Sequence, residues 1–275
     1  MEIIPMFSDQ LFDVSSEIVT VTGVSGQLGG EYAKAFLERG SRVVGLDVRS
    51  SPGSDALAEA YPDTYLFCSS DVTKKDSLRQ ALDIVKLKFG VPTVLINNAA
   101  IDSPPSSPPE ENGPFEEYPE SSWDKVMSVN LKGVHLCCQV FGGAMALEGR
   151  GSIINISSIY GVVSPDQNIY EYRRQRGETF FKPVAYSVSK SGILNLTRYL
   201  ATYWARKSVR VNTLTISGVF NNQEKDFLDA YCGRIPIGRM ANANEYNGAV
   251  LFLASSASKY MTGSNLVVDG GWTAI

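Results

Sequence analysis

The sequence is poor in the residues that build metal centres. It has one histidine, His135, among 275 residues. Its four cysteines (Cys68, Cys137, Cys138 and Cys232) include no Cys-x-x-Cys spacing, so no metal is implied. The same cysteines read as reduced, mostly buried thiols rather than a disulfide framework. No apolar run approaches the ~18 residues that a membrane span needs. Residues 1–13 carry Glu2, Asp9 and Asp13 and lack the basic start and apolar stretch of a signal peptide, so a cytoplasmic protein is expected. A basic excess is missing as well. With 25 Lys and Arg against 29 Asp and Glu the net charge is -4, which argues against nucleic acid or an anionic membrane as partner. No internal repeat, linker or compositional break divides the chain, so one domain over 1–275 is expected, with 1–16 an N-terminal extension.

What is present is an alternation of short apolar runs with amphipathic stretches of helical length. Strands are expected at 17–22, 42–47, 65–68, 93–97, 151–157, 209–214 and 265–268. Helices are expected at 28–39, closed by Gly40, then at 74–89, closed by Gly90, and at 121–145, 184–206 and 242–254. Apolar strands alternating with helices predict an α/β fold, a doubly wound Rossmann-type parallel sheet of about seven strands with helices on both faces. Two segments break the rhythm. Residues 102–119 hold six of the 13 prolines, and residues 159–183 insert a polar, aromatic and basic stretch. Both leave the carboxyl ends of strands, where loops rim the ligand crevice, so both are expected as active-site loops.

The turn Thr22-Gly23-Val24-Ser25-Gly26-Gln27-Leu28-Gly29 follows a strand and opens a helix, the context of a phosphate-binding loop. Asp47 ends the next strand. A carboxylate there can accept hydrogen bonds from ribose hydroxyls and repel a 2′-phosphate, which favours NAD over NADP. Arg49, two residues on, is the feature that would favour NADP. Far downstream stands Tyr186-Ser-Val-Ser-Lys190, whose spacing of four puts both side chains on one helix face. A fixed ammonium beside a phenol is expected to lower its pKa and equip it for proton transfer at a carbinol.

In this order the residues resemble the short-chain dehydrogenase/reductase family, in its single-domain branch, from about Glu17 to the C-terminus. The marks are the glycine turn, Asp71-Val72, Asn97-Asn-Ala-Ala100, Asn130, Ser157-Ser158, Tyr186 with Lys190, and Val268-Asp-Gly-Gly271. The resemblance implies that Tyr186 is the acid/base and that Lys190 lowers its pKa and holds the nicotinamide ribose. It implies that Ser158 polarises the substrate oxygen, with Ser157 as the fallback, and that Asn130 holds a water linking Lys190 to solvent. Gly23, Ser25, Gln27, Leu28 and Gly29 would line the pyrophosphate, and Asp47 the adenosine ribose. Asp71 and Val72 would flank the adenine, Asn98 and Ala99 its ribose, and Val219 the carboxamide. Four features depart from the pattern. Gln27 stands where a glycine is usual, Ala100 where a glycine is usual, Ile216-Ser217 where Pro-Gly is usual, and the gap between Ser158 and Tyr186 is about twice the usual one.

The reaction this implies is the NAD(P)-dependent interconversion of a secondary alcohol and a ketone, on a sugar, sugar acid or sugar phosphate. Residues 218–223 and 231–240 resemble gluconate 5-dehydrogenase-like members of the family. Residues 169–172 and 180–183 resemble oxidoreductases of bacterial flagellin-glycan and surface-sugar pathways. Arg173, Arg174, Arg176 and Lys182 are either a solvated basic surface or, for one or two of the arginines, a grip for a substrate carboxylate or phosphate. Asn221, Asn222 and Gln223 either bond sugar hydroxyls or cap their own loop. His135 is expected to pack or hydrogen-bond on its helix without a catalytic role. Two rival readings remain: a 3-oxoacyl thioester reductase and a non-catalytic NAD-sensing protein. A homodimer or homotetramer is expected by resemblance, through the helices at 121–145 and 184–206.

Overall fold

The computed structural model describes residues 10–102 and 108–275. Residues 1–9 of the expected extension and 103–107 of the first expected loop lie outside them. Seven strands form one sheet: β1 (Ile18–Thr22), β2 (Arg42–Asp47), β3 (Tyr65–Ser69), β4 (Val94–Asn97), β5 (Gly151–Ser158), β6 (Val209–Ile216) and β7 (Asn265–Val268). Every pairing is parallel, in the order β3-β2-β1-β4-β5-β6-β7. The apolar runs explain why. Neighbouring residues of one strand point to opposite faces, and both faces are covered. Val44, Leu95 and Ile153 enter one core with Phe141 and Trp204. Their neighbours Val43, Ile96 and Ile154 enter the other with Tyr32, Phe36 and Val250.

The helices that provide this cover are α1 (Gln27–Leu37), α2 (Pro52–Ala60), α3 (Lys75–Lys88) and a long helical segment over residues 120–148. That segment consists of α4 (Glu120–Met127), α5 (Val134–Cys137) and α6 (Gly143–Glu148), joined by π turns at Ser128–Gly133 and Cys138–Gly142. There follow α7 (Glu171–Gln175), α8 (Val184–Trp204), α9 (Lys225–Cys232) and α10 (Asn247–Ala254). Among the described residues no helix is long and apolar enough to cross a membrane. Helix α2 was not expected, because its Pro-Gly start reads as a turn. Ser51 and Ser54 cap each other reciprocally, and Pro52 takes the first helical position, where its missing N–H costs nothing. Helix α9 also lies where no helix was expected.

The chain runs outward from β1 through β2 to β3, then returns to β4 and runs the other way. The crevice between the carboxyl ends of β1 and β4 is therefore the switch point where such sheets hold ligands. Beneath it the core is polar. Asn155 is fully buried; its Oδ1 accepts from Asn97 Nδ2 at 2.8 Å, and its Nδ2 donates to Thr197 Oγ1 at 2.9 Å. Thr213 Oγ1 donates to the same Thr197 hydroxyl at 2.8 Å, so three strands and α8 share one network. Asn155→Ala strips partners from two buried groups and is expected to cost about 1–3 kcal/mol. A urea midpoint unchanged from wild type would contradict this.

Candidate active site

The glycine turn fits a dinucleotide for steric reasons that fall on two of its glycines. Gly23 has φ 68°, and a Cβ there would lie 2.8 Å from Ala99 Cα. A Cβ on Gly29 would lie 2.1 Å from the Gly23 carbonyl oxygen. Gly26 faces no such clash and keeps an ordinary φ, so the spacing that matters here is Gly23 to Gly29. Gly26 caps α1 without a side-chain hydrogen bond, which leaves the N–H groups of the first turn to a ligand. Gln27, in the usual glycine position, donates from Nε2 to Phe220 O at 2.9 Å and so ties the turn to the loop after β6.

Thr22 fixes the crevice itself. Its Oγ1 accepts from the N–H groups of Asn98 and Ala99, both at 3.0 Å. Asn98 Nδ2 returns hydrogen bonds to the carbonyls of Thr22 (3.0 Å) and Gly23 (3.2 Å). At the end of β2, Asp47 accepts from Ser25 N at 3.1 Å and from Val48 N at 2.8 Å, which places its carboxylate against the turn. Ser25 Oγ donates to the backbone of Arg49, whose residue is exposed. Asp71 accepts from Thr73 N and Oγ1. Val72 packs against Gly133 of the first π turn, where a Cβ would come within 2.9 Å of it.

Ser158 and Tyr186 line one cavity of about 570 Å³, with Leu28 and Val219 on the crevice side. Ser158 is the last residue of β5, and its Oγ accepts from Tyr160 N at 3.2 Å. Ser157 points the other way and donates to Lys190 O at 2.8 Å, so Ser158 is the serine at the cavity. Lys190 lies one turn along α8 from Tyr186, with Nζ 5.9 Å from the phenol ring centroid and donating to Ile156 O at 2.9 Å. Asn130 sits inside the first π turn, fully buried. Its amide brackets the backbone of Ile101, accepting from N at 2.8 Å and donating to O at 2.9 Å, and it also donates to Ser189 Oγ at 3.2 Å. Asn130 thus pins the segment that follows Asn97-Asn-Ala-Ala100.

Electrostatics correct one expectation. Burial pushes the Tyr186 phenol up rather than down, the Asp102 carboxylate adds to the rise, and the Ser158 hydroxyl opposes it. Lys190 is itself buried, which lowers its pKa from 10.5 to about 8 against the pull of Asp102. Desolvation of the phenolate is the largest cause of the rise.

The basic residues of the insertion are engaged by acids of the fold. Arg173 pairs with Glu178 and Glu224, Arg174 with Glu171, and Arg176 with Glu224 and Asp226. None of the three lines the cavity: Arg173 and Arg176 tie the insertion to the start of α9, and Arg174 braces the insertion internally. Lys182 does line it, as do the aromatics Tyr160, Tyr170, Phe180, Phe227 and Tyr231. These rings form a third apolar cluster with Ile159, Ile169 and Met240, closed by Trp272 against Tyr160 and Tyr231. Gln223 caps its own loop, accepting from Asn221 N at 2.8 Å and donating to Val219 O at 2.9 Å. His135 is exposed, and it does not line the cavity. Asp102, Tyr160, Glu224 and Phe227 also line the cavity and were not singled out from the sequence. Their only signal was position in the loops at strand carboxyl ends.

The lowered Lys190 pKa carries a stability signature. Between about 8 and 10.5 the unfolded chain binds the proton that the folded lysine has lost, so stability rises with pH across that window. Below it both states are protonated, and the full burial penalty applies. Lys190→Met removes this term. The stability gap between variant and wild type, read from urea midpoints, should shift in favour of wild type from pH 7.5 to 9.5; a pH-independent gap would refute the assignment.

Comparison with known proteins places this geometry. Residues 23–273 match a family model described as enoyl-(acyl carrier protein) reductase. The chain is 30% identical over 270 residues to the NAD-dependent glycerol dehydrogenase of Listeria innocua, covering 96% of this chain and 97% of that one. A short-chain dehydrogenase from Leptospira borgpetersenii, solved with bound NAD+, superposes with a TM-score of 0.83 at 33% identity, over 99% of this chain and 98% of that one. A gluconate 5-dehydrogenase from Burkholderia cenocepacia, in complex with NADP and tartrate, superposes with a TM-score of 0.82 at 26% identity, over 97% and 98%. On sheet order, site geometry and these matches together, the chain belongs to the short-chain dehydrogenase/reductase family of NAD(P)-dependent oxidoreductases acting on CH–OH groups.

Proposed function

We propose that the chain is one cytoplasmic NAD(P)-binding domain that reversibly oxidises a secondary alcohol of a carbohydrate-like substrate, with NAD as the preferred cofactor. The observation that carries the reading is the meeting of Ser158 and Tyr186 in one cavity that opens beside the glycine turn. Gly23, Ser25, Gln27, Leu28, Gly29, Asp47, Asp71, Val72, Asn98, Ala99 and Val219 would hold the dinucleotide. Bound there, it would accept or return the hydride of the carbinol carbon. Ser158 Oγ holds the substrate oxygen, and Tyr186 Oη takes the hydroxyl proton as the carbinol becomes a ketone. Lys190 keeps a positive charge on the same helix face, and Asn130 fixes the neighbouring backbone and links Lys190 to solvent through a water.

The NAD preference rests on Asp47, whose carboxylate at the strand end would repel a 2′-phosphate. The sugar-like substrate is supported by the glycerol dehydrogenase and gluconate 5-dehydrogenase relatives. Nicotinamide absorbance, followed with NAD and with NADP over a panel of polyols, sugar acids and sugar phosphates, tests both. Wild type should favour NAD, and Tyr186→Phe should lose about 10²–10⁴-fold in kcat. A fully active Tyr186→Phe would end the mechanism, and a preference for NADP would end the cofactor reading.

A homo-oligomer is part of the proposal. Tyr199 and Tyr203 on α8 stack in solvent with centroids 6.1 Å apart, both about three-fifths exposed, and Leu147 of α6 is exposed as well. Such an apolar face suits a second copy of the chain. Tyr199→Asp with Tyr203→Asp should lower the sedimenting mass, and a wild type that sediments as a monomer would contradict the assignment.

A further inference from the structure

The cavity above Tyr186 is lined by three charged side chains among the described residues: Asp102, Lys182 and Glu224. Glu224 is already engaged, accepting from Tyr172 Oη at 2.6 Å and pairing with Arg176 at 3.2 Å. Asp102 and Lys182 pair with each other across the two active-site loops. Lys182 Nζ stands 5.0 Å from the Tyr186 ring centroid, so the pair sits beside the position of the reacting carbinol. Its placement is built in. Gln167 clasps the Lys182 backbone from both sides, its Oε1 accepting from N at 2.8 Å and its Nε2 donating to O at 3.2 Å. The Lys182 side chain is only 10% exposed.

The charges determine what can bind there. A carboxylate or phosphate drawn to Lys182 meets the Asp102 carboxylate at the same place, and no other cation among the described residues lines the cavity. A hydroxyl suits both partners, because it donates to a carboxylate and accepts from an ammonium. The aromatic walls match the C–H faces of a polyol. We infer that the Asp102–Lys182 pair recognises an uncharged hydroxyl on the carbon next to the reacting carbinol, which makes the substrate a neutral vicinal diol or polyol rather than a sugar acid or sugar phosphate. This rests on the alcohol-oxidation reading above.

Two matched pairs of compounds test it: butane-2,3-diol against butan-2-ol, and threitol against threonate. Turnover is measured in wild type, Lys182→Met and Asp102→Asn. Binding of the same compounds to the NAD-loaded Tyr186→Phe protein is measured by calorimetry. Wild type should favour the diol over the mono-alcohol by at least about tenfold in kcat/KM and should favour threitol over threonate. Lys182→Met should bring the diol-to-mono-alcohol ratio toward one. Asp102→Asn leaves the lysine charge uncompensated and should swing preference toward threonate, a gain that misfolding cannot mimic. The inference is overturned by a wild-type preference for threonate, by a Lys182→Met that lowers both alcohols equally, or by threitol that is neither oxidised nor bound. Threitol bound in preference to threonate without turnover would sink the dehydrogenase reading and support the recognition. Equal oxidation of diol and mono-alcohol would do the reverse.

Discussion

A parallel sheet that reverses its winding must open a gap between two central strands, and something must set the width of that gap. Here the Thr22 hydroxyl and the Asn98 amide do so. Four hydrogen bonds of 3.0–3.2 Å join the end of β1 to the segment after β4, across 75 to 77 residues of chain. Gly23 can then approach Ala99 as closely as it does only because it has no side chain. Asn130 extends the same bracing by two residues, to Ile101. The glycine turn and the segment after β4 thus stand on backbone that these side chains hold, so the cofactor side of the crevice depends on polar contacts made before any ligand arrives.

On this frame the insertion builds a second layer. Its Arg173 and Arg176 pair with Glu224 and Asp226 on and beside α9, its rings pack into the third apolar cluster, and of its basic residues only Lys182 lines the cavity. A loop of this length would ordinarily sample many conformations. The ion pairs exposed on its outer side each contribute little. The buried rings, such as Tyr170 and Phe180 with centroids 4.5 Å apart, supply the apolar area that holds it.

What could be read from the sequence follows from where each residue sits. Ser158, Asp47 and the Tyr186–Lys190 pair stand on regular elements, whose periodicity announces both the element and the face. The strand order follows from apolar runs that could be satisfied only by cover on both sides. Asp102 and Lys182 were hidden because a charge in a proline-rich or basic loop reads as solvated, and their pairing spans 80 residues of chain. The pairing of Arg173 and Arg176 with Glu224 and Asp226 was hidden for the same reason, since those acids lie about fifty residues further on. The direction of the Tyr186 shift depends on burial, a property of packing that spacing along a helix does not contain.

Trp272 packs its indole edge-on to Tyr160 and tilted on Tyr231, with centroids 6.4 and 4.7 Å apart. A parallel sheet has no hairpins, so its contacts link distant parts of the chain, and this one reaches from near the last residue to the middle. During synthesis the glycine turn emerges well before Trp272, which backs the cavity wall at Tyr160 and Tyr231. A nascent chain therefore possesses a surface for the dinucleotide well before it possesses a fully backed enclosure for anything to be oxidised, and the two halves of the site become a single site only once Trp272 is in place.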